Sequence, residues 1–339
     1  LALTADAIYK VYENQPVHER AYLGASIMGT ECDRALWYQF RLAYPPEQLE
    51  GRKLRLFQTG HREEERVVAE LNEAGITVDG RQHNISASGG HLQGHLDGVV
   101  TNVPEAPDVQ HVLEVKTHNE KSFKSLLKDG VAKSKPGHVV QMQLYMHHTK
   151  ASWALYVAVN KNDDSIYVER VPYDAKQSEI ILRRAERTIK AHAAPAKLHE
   201  DPKAKSAFAC GWCPAKTVCH EGQFARRNCR TCISSTPILD GKEGGWRCEQ
   251  WDKSLTFAEQ LKGCPSHVYL PSLVPGEQID ADVTRRLIMY VMPDGSTWID
   301  GGTDGTDGEG QECHSNSGPI KAMPSLPNTP TGAKVAAIA

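Results

Sequence analysis

The chain has 339 residues, 40% of them hydrophobic and 24% charged, with a formal net charge of −3. This is room for a catalytic domain plus a smaller module. No apolar run is long enough to span a bilayer, and the N-terminus lacks the basic-then-apolar pattern of a secretion signal. A cytoplasmic location, in a bacterium or a phage-infected host cell, is the expectation. Leu1 rather than Met opens the chain, so the natural start is expected upstream. With so small a net charge, any nucleic-acid binding must come from a local basic surface.

Residues 1–50 read as helical, with one helix across "CDRALWYQFR". A second helix is predicted over 51–75, where Leu56, Gly60, Glu64, Val67, Val68 and Leu71 recur at helical spacing and Gly75 is a stop. Three strands follow, "ITVDGRQHNIS", "LQGHLDGVV" and "HVLEVKT". "SFKSLLKDG" and "HVVQMQLYMHHT" read as helices. "WALYVAVNK" and "SIYVERVPY" alternate like a hairpin turning at "NKNDDS". "AKQSEIILRRAERTIKAHAA" is a long amphipathic helix. The order predicts an α/β core with a mixed central sheet flanked by helices. The expected organisation is a main domain over 1–222, a small cysteine-rich metal-binding module over 223–275, a hairpin over 276–300 and a disordered tail over 301–339.

Four acidic or basic residues stand where a core is expected. Glu64 shares a helical face with Val67, Val68 and Leu71, and a carboxylate there is costly unless it is paired or holds a cation. Glu63 and Glu65 suit a solvated face. Asp97 is placed inside the second strand, between Gly94 and Gly98. Glu114 and Lys116 share one face of the third strand, because side chains alternate with period two. Singly, each reads equally well as a surface charge or an ion pair. Together, carboxylates converging on one spot repel unless a divalent metal holds them, and a neighbouring lysine can orient or deprotonate a water. That is equipment for metal-assisted attack of water on a phosphodiester.

"GHLDGVV" followed by "LEVKT" resembles the D…(D/E)-x-K signature of the PD-(D/E)XK nuclease superfamily. "GHREEERVV" resembles the family's helical acidic motif through Glu64. "QMQLY" is similar to the Q-x-x-x-Y motif of its RecB-type branch through Gln141 and Tyr145. The resemblance covers roughly residues 20–220 and implies a restriction-endonuclease-like fold. It also implies that Asp97 and Glu114 ligate Mg²⁺ or Mn²⁺, with the Val115 carbonyl as a further ligand. Lys116 would position or activate the attacking water, and Glu64 would complete the metal site. Gln141 and Tyr145 would contact the DNA backbone or buttress Lys116; ordinary helix packing is the alternative. Some relatives carry a histidine in the helical motif, but His61 lies one turn early. Lys121, Lys124, Lys128, Lys133 and Lys135 suit phosphate contact or a solvated loop face.

Nine cysteines occur, seven of them between Cys210 and Cys264. Without a secretion signal, close pairs favour metal ligation over disulfides. Cys210, Cys213 and Cys219 form C-x2-C-x5-C and need a fourth ligand, for which Cys32 is the candidate. This arrangement looks like the iron–sulfur branch of the same superfamily, which includes the AddB nuclease domain and CRISPR-associated adaptation nucleases. It implies a [4Fe–4S] cluster stapling the two ends of the nuclease core; zinc is the alternative, since both accept four thiolates. Cys229 and Cys232 begin a second set, completed by Cys248 and Cys264 as a structural Zn²⁺ knuckle, with His267 able to replace either of the last two. Cys313, in the polar tail, is expected to bind nothing.

The resulting expectation is a Mg²⁺- or Mn²⁺-dependent deoxyribonuclease. Exonuclease action in DNA recombination, repair or phage replication fits best, with DNA as partner and a single-strand annealing or replication protein as a further one. The alternatives are a non-catalytic DNA-binding or scaffold protein that keeps the fold, a zinc-ribbon regulatory protein and a structure-specific endonuclease.

Overall fold

The computed structural model describes residues 3–16 and 19–301. The expected tail beyond Gly301, with Cys313, lies outside the described residues. In chain order the first elements are α1 (Leu3–Glu13), β1 (Leu23–Gly24), α2 (Asp33–Phe40), α3 (Gly51–Glu73), β2 (Thr77–Asp79) and β3 (Asn84–Ala87). Then come β4 (Leu92–His95), β5 (Gly98–Thr101), β6 (His111–His118), α4 (Glu120–Ser134), α5 (Pro136–Thr149), β7 (Trp153–Asn160), β8 (Ile166–Pro172) and α6 (Ala175–Lys190). After these come α7 (Phe208–Gly211), α8 (Lys216–His220), β9 (Ser235–Pro237), β10 (Trp246–Cys248), β11 (Lys253–Leu255), α9 (Phe257–Lys262), β12 (Glu277–Asp282), β13 (Leu287–Val291) and β14 (Thr297–Gly301). No helix among the described residues is long and apolar enough to cross a membrane.

Two compact units emerge, each discontinuous in sequence. The first takes the chain up to Gly29, Pro46–Ala87 and Leu92–Ala185; the second takes Thr30–Pro45, Ser88–His91 and the chain from Glu186 onward.

The first unit is built on a mixed five-stranded sheet of order β2-β5-β6-β7-β8. β6 and β7 run parallel, with Glu114 opposite Tyr156 and Lys116 opposite Ala158. Parallel neighbours need a crossover, and α4 and α5 supply it. Asn119 caps α4 by accepting from the Ser122 amide at 2.8 Å. Gly130, with φ of 72°, breaks the helical path near its end, and Pro136 opens α5. Val112, Leu113 and Val115 of β6 are buried, as are Leu155, Val157 and Val159 of β7. Val67 and Val68 of α3 join the same apolar cluster as Leu113 and Val115.

Three expectations are corrected here. Residues 1–50 are not helical throughout: β1 lies between α1 and α2 and pairs in parallel with β4. "ITVDGRQHNIS" is two strands in two sheets, β2 and β3, separated by Gly80 and Gln82, both with positive φ. "LQGHLDGVV" is likewise divided: β4 pairs with β3, while β5 pairs with β2 and β6. Asp97 therefore sits at the joint between two strands rather than within one. The in–out alternation runs on through the joint, with Leu96 and Gly98 buried and Asp97 half-buried between them.

The second unit holds two three-stranded antiparallel meanders, β9-β10-β11 and β12-β13-β14. β13 and β14 are the expected hairpin; β12 adds a third strand. An aromatic cluster with Trp37, Tyr38, Tyr269, Tyr290 and Trp298 forms the core. His91 is 0% exposed. Its Nε2 lies 3.0 Å from the Ile238 carbonyl, and its ring meets Phe40 and Trp246 edge-on.

Burial pushes the His91 pKa down to about 4. Because the folded value lies below the ordinary one, the neutral ring contributes stability above about pH 6.5. That contribution is lost as pH falls through 6.5 toward 4. At about 1.4 kcal/mol per unit, His91 accounts for about 3 kcal/mol. Urea unfolding at pH 7 and pH 4.5 should show a smaller acid-induced loss for His91→Gln than for the wild type.

Candidate functional site

The site lies in the first unit, where β4, β5, β6, α3 and α5 meet. Asp97, at the strand joint, is anchored by its own carboxylate: Oδ2 accepts the Val115 amide at 2.7 Å. That amide belongs to the residue between Glu114 and Lys116, so the contact ties the joint to the middle of β6. Glu114 is 0% exposed, and Lys116 forms an ion pair with its Oε1. Glu114 Oε2 has no hydrogen-bond partner in the protein. A buried carboxylate oxygen without a donor is costly, and a cation is one remedy. The Val115 carbonyl accepts from Lys116 Nζ at 3.1 Å.

Glu64 projects from α3 with its side chain only 13% exposed; Gln82 Nε2 donates to its Oε1 at 3.1 Å and Arg81 lies 3.7 Å away. Glu63 pairs instead with Arg66. Glu64, Asp97, Gln141 and Tyr145 line one cleft of about 710 Å³, and His61 and Glu65 border it too. Glu65 is exposed, on the solvated face its position predicts. His61 and Glu64 are three residues apart on one helical face, so both reach the cleft. Gln141 Nε2 donates to the Tyr145 hydroxyl at 3.0 Å. Tyr145 in turn reaches the backbone of His95.

The electrostatics are those of carboxylates crowded out of water. Burial pushes the Glu114 pKa up to about 7 against the pull of Lys116, and Asp97 and Glu64 push it further the same way. Burial likewise raises Asp97 and Glu64, the latter with help from Asp97. For Lys116, burial opposes the ammonium, but Glu114, Asp97 and Glu64 outweigh it and hold the pKa above its ordinary value. Glu114 and Lys116 each feel the other three charges, and Lys116 acts on all three carboxylates.

Sequence reasoning missed Arg81 and Gln82, which lie in a segment it read as one strand. It also missed a polar network on the Lys116 face of the sheet. The Tyr156 hydroxyl sits 2.9 Å from both His118 Nε2 and His138 Nδ1, so it donates to one ring and accepts from the other. Burial pushes His118 down to about 4 and His138 to about 3, keeping both rings neutral. The period of two that placed Glu114 beside Lys116 also extends to His118, and that signal was available.

Gly94 of β4 is where the Tyr145 ring comes close. A Cβ there would lie 2.7 Å from Tyr145 Cε1 and 2.8 Å from Ala25 Cβ. Gly94→Ala is expected to cost about 1–3 kcal/mol through overpacking and to displace Tyr145. Thermal unfolding compared with wild type checks the first effect; Tyr145 ring shifts in an NMR spectrum check the second.

Of the predicted lysines, Lys124 and Lys133 are engaged in ion pairs with Glu120 and Asp129 on α4. In the second unit, Cys32, Cys210, Cys213 and Cys219 border one cavity of about 230 Å³. Cys32 caps α2, its Sγ accepting from the Ala35 amide at 3.4 Å. Cys229, Cys232, Cys248 and Cys264 border another cavity, of about 10 Å³. All eight are free thiols. Among the described residues, no group of three or more His, Cys, Asp or Glu side chains is placed so that it could hold a metal ion.

The family model of the PD-(D/E)XK nuclease superfamily matches residues 9–220. No curated protein matches the chain. Among solved structures, the protein SSO0001 is 15% identical over 64% of this chain and 96% of its own, with a TM-score of 0.39. The alkaline exonuclease LHK-Exo from Laribacter hongkongensis is 19% identical over 50% of this chain and 87% of its own, at 0.39. A phage-related exonuclease from Haemophilus somnus 129PT is 14% identical over 49% and 91%, at 0.35. The family-model match spans well over half of the chain and takes in the strand joint, the Glu114–Lys116 strand and the Gln141–Tyr145 helix together: the chain belongs to the PD-(D/E)XK nuclease superfamily.

Proposed function

We propose that the chain is a Mg²⁺- or Mn²⁺-dependent deoxyribonuclease that acts as an exonuclease in DNA recombination, repair or phage replication. The observation that carries this reading is the convergence of Glu64, Asp97 and Glu114 with Lys116, with one wholly buried carboxylate oxygen of Glu114 left without a protein donor. Hard oxygen donors of this kind suit Mg²⁺ or Mn²⁺. Asp97 and Glu114 would hold the ion, with the Val115 carbonyl and Glu64 as further donors. A divalent cation there supplies charge neutralisation at the scissile phosphate and a lowered pKa for water.

The chain's own groups do the remainder. Lys116, kept as an ammonium by three carboxylates, orients the attacking water and stabilises charge developing on the phosphate. Asp97, fixed to the Val115 amide, keeps that lysine and the strand joint in register. Gln141 and Tyr145, on the cleft wall, hold the DNA backbone or buttress Lys116. Arg20 and Arg81, on the same cleft, offer guanidinium groups to phosphates.

Cys32, Cys210, Cys213 and Cys219 would hold a [4Fe–4S] cluster. Four thiols bordering one cavity of about 230 Å³ fit a polynuclear centre. Its contribution would be structural, joining α2 to α7 and α8.

Incubation with end-labelled linear DNA and with covalently closed circular DNA, both with Mg²⁺, tests the mode of action. Mononucleotide release from linear DNA with intact circles supports the exonuclease reading. Cleavage of closed circles at a comparable rate would assign an endonuclease instead.

A further inference from the structure

The second cysteine quartet lies outside the proposed nuclease centre and outside the first quartet. Its members come from separate places in the second unit. Cys229 opens a 3₁₀ turn, Cys232 follows that turn and bridges to Tyr269, Cys248 ends β10, and Cys264 follows α9. All four border one cavity. Cys232, Cys264 and Cys248 are each near enough to raise the cost of a charge on Cys229, beyond what burial alone imposes.

We propose that Cys229, Cys232, Cys248 and Cys264 bind a single Zn²⁺ ion as a closed, structural four-thiolate site.

Three observations support it. The first is size. A cavity of about 10 Å³ has room for about one water-sized species. That is the scale of a single ion, and it is smaller than the cavity beside Cys32.

The second is charge. Arg41 is 0% exposed. Its guanidinium donates to the carbonyls of Arg230, Ser235 and Ala191, while its Nε has no hydrogen-bond partner. Four thiolates around Zn²⁺ keep a net negative charge, which supplies the buried cation with a counter-charge.

The third is local stability. β9, β10 and β11 are three residues each. So short a meander needs a staple, and no disulfide is present among the described cysteines.

His267 is the remaining candidate ligand: it borders the cavity, and its buried Nδ1 has no hydrogen-bond partner, whereas its other ring nitrogen is engaged. Its Nε2 lies 3.1 Å from the Thr231 hydroxyl and its ring stacks edge-on against Tyr269 at 4.5 Å. It borders the cavity and is suited to support a thiolate. The four thiols are not drawn together as they stand, and Cys229 Sγ donates to the Glu259 carbonyl at 3.4 Å. Zinc capture releases that proton and closes the ring of sulfurs.

Zinc content and zinc X-ray absorption of the purified full chain test this. The wild type is expected to hold one zinc with a four-sulfur shell at about 2.3 Å. His267→Ala and Cys210→Ser should keep that zinc; Cys248→Ser should lose it. A wild type that stays zinc-free after incubation with Zn²⁺, or a shell containing a histidine nitrogen, overturns the proposal without any need for a variant to fold. Zinc lost from Cys210→Ser but kept by Cys248→Ser would overturn it equally. None of these outcomes depends on nuclease activity.

Discussion

Lys116→Ala should reduce DNA cleavage by at least about 10²–10³-fold, the effect of removing one preorganised charged group from a transition state. Asp97→Asn should do the same or worse, because it weakens both a metal donor and the acceptor of the Val115 amide. The two variants should differ in a second readout. Lys116→Ala removes the partner of a buried carboxylate, so Glu114 takes up a proton more readily, its pKa already lying near 7 through burial. The metal-free variant should take up that proton at a higher pH than the wild type does. Asp97→Asn should show no such uptake, since it removes a negative neighbour. Cleavage rates on linear DNA and a potentiometric titration check these results. Lys116→Ala cleaving at the wild-type rate would remove it from the chemistry.

Cys32→Ser carries the second large effect. The residue caps a helix whose Leu36, Trp37, Tyr38 and Phe40 are all buried. A lost cap alone costs about 1 kcal/mol, and serine restores most of that. Loss of a structural metal centre costs on the order of 4 kcal/mol or more. The substitution therefore separates the two roles. If a cluster is bound, anaerobically purified wild type is brown, Cys32→Ser is colourless, and its urea midpoint falls sharply. A colourless wild type and a variant of equal stability would leave Cys32 as a helix cap alone. Cys210→Ser, which touches no cap, should reproduce the loss of colour.

The sequence made much of the first unit legible. α3 and α6 announce themselves by apolar spacing, and β6, β7 and β8 by alternation and β-branched residues. Glu114 and Lys116 could be placed on one face because a strand's period leaves no alternative. Asp97 was found by its motif but placed wrongly, because alternation runs unbroken through "LQGHLDGVV" while the backbone changes sheets at Leu96 and Asp97. Only pairing with β3 on one side and β2 and β6 on the other reveals the switch. Arg81 and Gln82 escaped for a related reason: a turn with positive φ at Gly80 and Gln82 has little signal beyond its glycine. The grouping of Thr30–Pro45 with the chain beyond Glu186 is a long-range fact that local patterns do not encode. Cys32 hinted at it, since three clustered cysteines lacked a fourth.

Glu64, Asp97, Glu114 and Lys116, as a metal-dependent nuclease centre, make the activity itself the direct test. Release of acid-soluble nucleotides from linear double- and single-stranded DNA by the purified chain, with Mg²⁺ or Mn²⁺ and then with excess EDTA, is the decisive measurement. Nucleotide release with either ion, stopped by the chelator and restored by added metal, is the predicted result. No release from either DNA with either ion, or release that continues undiminished in EDTA, would contradict it.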